Sequence, residues 1–160
     1  MKYKNQYWLF FKSGAAHDGS MHYGYAVSDR LGGPYRICDE PKMDNTGYVE
    51  DAACFTMNGT AYLVTTDNFG KNSGIFGAGL LWPMRDGFFH RSDAKIAYGV
   101  LSDYRPLPES TSYISEDHSG KLERPGVLIQ NGRPAYLYAC TRASVCLLYT
   151  SPSPRDPKTS

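Results

Sequence analysis

The sequence predicts an all-β chain assembled from repeated antiparallel sheets, and three observations carry that prediction. A segment that opens on a carboxylate and closes on Asn-Gly occurs twice, as Glu50-Asp51-Ala52-Ala53-Cys54-Phe55-Thr56-Met57-Asn58-Gly59 and as Glu123-Arg124-Pro125-Gly126-Val127-Leu128-Ile129-Gln130-Asn131-Gly132. Each copy runs into a second apolar strand, residues 61–66 and 135–140, so both have the form strand, Asn-Gly turn, strand. No stretch shows a helical period of useful length. Hairpins that recur at intervals well beyond their own length are the mark of a radial array of blades packed face to face. The first strand of every blade then lines a shared channel, and carboxylates at its start converge there from distant parts of the chain.

Taken in order, residues 7–11, 22–27 and 35–37 read as the second, third and fourth strands of one blade, with Leu31-Gly32-Gly33-Pro34 as the turn between the last two. Asp29 is expected to close its own turn through a side-chain hydrogen bond to the backbone. A whole second blade follows, with strands over 53–57, 61–66, 77–82 and 88–90 and a long loop over 67–74. Residues 97–121 are polar and hold Pro106, Pro108 and Gly120, so a connecting loop over the channel mouth is expected. A third blade begins at Glu123 and shows two strands. Nothing before Tyr7 is acidic.

With 160 residues, 41% of them hydrophobic, the chain has the composition of one ordinary globular domain. A net charge of +1 with scattered basic residues argues against nucleic acid or an acidic membrane surface as partner. No apolar run approaches the roughly 20 residues of a membrane-spanning helix, and the start has no apolar signal-peptide core. Aromatic residues make up 14% of the chain, 13 of them Tyr, which suits half-buried strands and sugar-stacking surfaces alike. Cys38, Cys54, Cys140 and Cys146 have neither metal-ligand spacing nor the density of a disulfide framework, and isolated thiols are expected.

These residues resemble the five-bladed β-propeller glycoside hydrolases, most closely the arabinanase and xylosidase-like group of family 43 and the related family 117. Ala26-Val27-Ser28-Asp29 with Gly33-Pro34-Tyr35 is similar to that group's strand-three to strand-four signature. Glu50-Asp51-Ala52 resembles its Asp-Pro motif, with Ala52 where the group carries Pro, and Glu123-Arg124-Pro125 resembles its Glu-x-Pro motif. The resemblance spans residues 7–141 and implies a partial five-bladed propeller of roughly two to two and a half blades. It implies Glu123 as general acid, Asp51 as the carboxylate that tunes and orients it, inversion at the anomeric carbon, and a reaction carried by no metal and no cofactor. The group's general base, an Asp at the start of the first blade, has no counterpart before Tyr7 and is expected upstream; relatives are commonly exported. The chain as it stands is therefore expected to be an inactive fragment of a hydrolase acting on plant or algal polysaccharides or their oligosaccharides.

Cys146 to Asp156 resembles the frame translation of a transposase mosaic end followed by a sequencing adapter, which divides the chain into a propeller domain over 1–145 and a non-native tail over 146–160. A strand over 145–149 followed by a Pro/Ser-rich linker is the alternative.

Glycoside hydrolysis needs a proton delivered to the leaving oxygen and a base or nucleophile on the opposite face of the sugar. The acid must stay protonated near neutral pH, which a second carboxylate nearby and a dry pocket both favour. Each candidate has a plainer role beside the functional one. Glu123 pairs with Arg124 or Lys121, Asp51 caps a turn, and Glu50 is a substrate contact or a solvated charge. Arg124 contacts a sugar or a neighbouring carboxylate, Trp82 is a stacking platform or core, and Asp67 faces the pocket from a strand end. Of the histidines, His17 and His118 lie on loops that reach toward substrate. Two other functions compete with hydrolysis: a non-catalytic carbohydrate-binding propeller, and a mannoside phosphorylase-like propeller in which phosphate replaces the attacking water.

Overall fold

Two-residue turns set the strand pattern. Lys4-Asn5, Asn58-Gly59, Asp86-Gly87 and Asn131-Gly132 all have positive φ at both central positions, the type I′ geometry whose twist matches that of the strands it joins. The structure is a computed structural model that describes residues 1–13, 22–44, 48–104, 106, 120–141 and 148–151, with Ser13 and the last four as backbone only. Among these residues there are three antiparallel sheets and no α-helix.

The first sheet has the order β1 (Lys2–Tyr3), β2 (Gln6–Ser13), β3 (His22–Ser28), β4 (Arg36–Cys38). The second holds β5 (Val49–Met57), β6 (Thr60–Asp67), β7 (Ala78–Arg85) and β8 (Phe88–Phe89), with β9 (Lys95–Tyr98) also on β7. The third holds β10 (Leu122–Gln130), β11 (Arg133–Thr141) and β12 (Leu148–Ser151).

Three expectations change. The residues before Tyr7 form a short strand, β1, with Tyr3 opposite Gln6 across the Lys4-Asn5 turn. Residues 95–98, assigned in part to a connecting loop, pair with β7 instead, opposite Gly79, Leu80 and Leu81. Since β8 pairs with Met84 and Arg85, the fourth strand of this sheet is broken into two pieces. Pro83, which lacks an N–H to donate, falls in the gap between them, and β7 runs on past Trp82 to Arg85. The turn after β3 is closed by Ser28, whose Oγ accepts from Arg30 N at 3.1 Å, while Asp29 accepts from Gln6 Nε2 at 3.2 Å.

The middle sheet is apolar on both faces. Val49, Ala61, Leu63, Leu80, Trp82, Met84 and Phe89 pack toward Trp8, Phe10 and Tyr23 of the first sheet. Phe55, Val64 and Tyr98 pack toward Leu122, Val127 and Ala139 of the third. This is the period-two alternation of a strand pair buried on both sides. The faces turned away from the middle leave Leu9 and Ile37 of the first sheet and Leu128 of the third exposed.

Candidate active site

The two carboxylate segments form the same backbone device. In β5, Glu50 pairs with Thr66 and Ala53 with Val64, so Asp51 and Ala52 stand opposite Thr65 alone. In β10, Glu123 pairs with Cys140 and Gly126 with Tyr138, so Arg124 and Pro125 stand opposite Ala139 alone. Both are one-residue bulges, the device by which strands bend and re-aim side chains. The first bulged residue is left-handed in each case, Asp51 at φ 57° and Arg124 at φ 53°. For a residue with a Cβ that conformation costs on the order of 1–2 kcal/mol. β10 packs directly along β5, which brings the two bulges to the same end of neighbouring sheets.

Lysines meet both glutamates. Lys12 Nζ, from the first sheet, lies 3.4 Å from Glu50 Oε2, and Lys121 Nζ lies 3.9 Å from Glu123 Oε1. The glutamate side chains are 18% and 22% exposed, so both are set back from bulk water and still reachable.

Two tyrosines complete the surroundings. Tyr23 of β3 accepts a hydrogen bond from Ala52 N at 3.1 Å, tying the first sheet to the second at its bulge. Burial raises the Tyr23 phenol well above its ordinary value; the Ala52 bond opposes the shift, and Asp51 and Glu50 add to it. Tyr98 of β9 lies across Gly79, where a Cβ would meet its ring at 2.0 Å, and donates to Leu122 O at 3.3 Å. Burial again raises the phenol strongly, the Thr66 hydroxyl opposes the rise, and both Asp51 and Glu123 add to it. The field of both carboxylates thus reaches one buried hydroxyl. Asp51 and Glu123, 72 positions apart in sequence, thus act in the same direction on one phenol.

The other candidates fall elsewhere. Trp82 is 0% exposed and donates from Nε1 to Thr65 Oγ1 at 2.9 Å, so it belongs to the core and offers no stacking face. Asp67 does not face a pocket. It is fully buried and accepts from Asn72 N at 2.9 Å, Ser73 N at 2.7 Å and Ser73 Oγ at 2.9 Å, which makes it the anchor of the loop after β6. Arg124 is exposed at its bulge. His17 and His118 lie outside the described residues. Cys38, Cys54 and Cys140 are free thiols. Among the described residues no group of three or more His, Cys, Asp or Glu side chains is placed to hold a metal ion. Tyr23, Tyr98 and Lys12 were not singled out by sequence reasoning, whereas Lys121, two positions before Glu123, was expected as its partner and stands there.

The sheets, their order and their packing define part of a β-propeller. Solved structures with this fold include the GH43_1 enzyme from Xanthomonas citri complexed with xylotriose, with a TM-score of 0.58 at 17% identity over 94% of this chain and 53% of that one. A β-xylosidase/α-arabinofuranosidase of the same family from a compost microbial metagenome gives a TM-score of 0.54 at 16% identity over 98% and 52%. A thermostable family-43 glycoside hydrolase gives 0.51 at 17% identity over 89% and 44%. The chain therefore spans about half the length of these enzymes. No family model and no curated protein matches it.

Proposed function

We propose that this chain is part of a glycoside hydrolase that cleaves plant or algal polysaccharides or oligosaccharides with inversion. The observation that carries the proposal is the pair of matching one-residue bulges on β5 and β10, two strands that pack against each other, with Asp51 in the first bulge and Glu123 just before the second. Glu123 delivers the proton to the leaving oxygen, and Asp51 orients and tunes it. The general base comes from the matching place in the first blade, upstream of β1. A water between base and anomeric carbon is the nucleophile, as inversion requires. Solved structures of the same fold hold xylotriose and xylose, which supports a carbohydrate ligand. Residues 146–160 are adapter-derived in this reading; the pairing of β12 with β11 needs only an extended backbone on an open edge, whatever its sequence.

The decisive experiment recovers the complete open reading frame, then compares the full protein with its Glu123→Gln variant on aryl glycosides and oligosaccharides. Turnover is expected to fall by roughly 10²- to 10⁴-fold, the usual contribution of a general acid. Activity unchanged in the variant would sink the assignment of Glu123. A second reading, a carbohydrate-binding propeller without catalysis, is favoured by the lysine on each glutamate. It predicts sugar binding with no turnover in either protein.

A further inference from the structure

Next to the carboxylates the chain displays aromatic rings that the core does not use. Tyr48, just before β5, and Phe69, just after β6, are 41% and 54% exposed. Their rings meet edge to face at 5.4 Å, and Phe69 meets Phe76 in the same way at 6.2 Å. Lys121 Nζ stands 4.1 Å from the Phe76 ring centre and 6.0 Å from that of Phe69, and the same nitrogen reaches Asn68 Oδ1 at 3.4 Å and Glu123 Oε1 at 3.9 Å. A continuous path therefore leads from the open rings to the proposed acid.

The ledge is held firmly. Asn68 N donates to Tyr48 O at 3.2 Å, the buried Asp67 carboxylate takes the loop's amides, and Gly77 N returns to Asp67 O at 2.9 Å. At Gly70, φ is +65° and a Cβ would meet Ile75 C at 2.9 Å, so the loop closes on itself without room for slack. Large aromatic surface on a rigid, exposed loop is informative because folding gains nothing from leaving it in water.

We propose that Tyr48 and Phe69 form a stacking subsite for a sugar ring of the substrate beyond the residue that is cleaved, with Lys121 and Asn68 presenting polar atoms to its hydroxyls. A sugar fits this surface because its rings carry an apolar C–H face and a polar rim, as the ledge does: open aromatic rings beside an ammonium and an amide. The inference rests on the glycosidase reading and deepens it.

The test uses the complete protein with Glu123→Gln to halt turnover, titrated with a panel of neutral trisaccharides, xylotriose among them, and with the matching monosaccharides. Phe69→Ala and Tyr48→Ala are each expected to weaken the trisaccharide about three- to tenfold and to leave the monosaccharide unchanged, while Phe69→Trp restores binding. Trisaccharide binding that survives Phe69→Ala intact, with hydrolysis still seen in the protein that keeps Glu123, overturns the subsite and leaves the glycosidase standing. An equal loss for both sugar lengths, unrescued by Trp, assigns the rings to loop structure and overturns it as well. An unmutated protein that neither binds nor cleaves any of the panel overturns the glycosidase reading and this inference together.

Discussion

At the entry of the second sheet the bulge carries Asp51 and Ala52, and at the entry of the third it carries Arg124 and Pro125, with φ at the first position 57° and 53°. One backbone shape thus holds an acid in one sheet and a base in the other. The shape is a property of the blade, and the chemistry is a property of what stands on it. The second position differs for a reason visible in the packing. Ala52 N donates to Tyr23, whereas Pro125 has no N–H and sits buried without needing an acceptor. A proline at 52 would leave the Tyr23 hydroxyl without its donor, which gives a physical reason for the departure from the Asp-Pro pattern.

The comparison is tested most severely at two glycines. Gly79→Ala drives a Cβ to 2.0 Å from the Tyr98 ring and is expected to destabilise the full protein by about 3 kcal/mol, whereas Gly126→Ala meets Tyr138 at an ordinary 3.6 Å and should change stability by under about 1 kcal/mol. Urea denaturation midpoints decide it, and equal effects would remove Tyr98 as the rigid element between the bulges.

Alkaline titration comes next. Tyr23 and Tyr98 have folded pKa values raised above the unfolded value of about 10, so their contribution is complete below that pH and is lost as pH climbs toward the folded values. Each phenol should remove about 1.4 kcal/mol per pH unit above about 10, Tyr25 adding to the same slope, and Tyr23→Phe should lower that slope by about 1.4 kcal/mol per unit in pH-dependent unfolding curves.

A smaller effect separates the second bulge positions. Ala52→Pro should cost about 1–2 kcal/mol through the lost Tyr23 bond, and Pro125→Ala under about 1 kcal/mol, both read from thermal unfolding. The smallest change is expected from Arg124→Gly, which relieves the left-handed backbone and should be neutral or stabilising by up to about 1 kcal/mol; clear destabilisation would show that the Arg124 side chain holds the bulge.

The sheets were legible because their signals are local. Asn-Gly announces a type I′ turn, and period-two apolar runs flank it at both copies. Glu50, Asp51 and Glu123 stood out for the same reason, as a repeated register. What escaped notice depended on pairing across long gaps. β9 carries only four residues and is recognised by its partner β7, not by its own pattern. Tyr98 looks like any strand aromatic until Gly79 opens a place for its ring. Trp82 and Asp67 drew attention as residue types, but a wholly buried indole and a carboxylate spent on loop amides are decided by neighbours that no spacing shows.

Asn58 and Asn131 each stand eight positions after their glutamate. That equal length works as a ruler cut into the gene. In a strand with one face set against the core, one codon gained or lost between glutamate and turn would rotate every side chain in that interval to the opposite face, and the carboxylate with them. Codons gained or lost in the loops between sheets would disturb neither. Copying errors are therefore filtered unevenly along the chain, and a search keyed to this interval should find further copies of the same module.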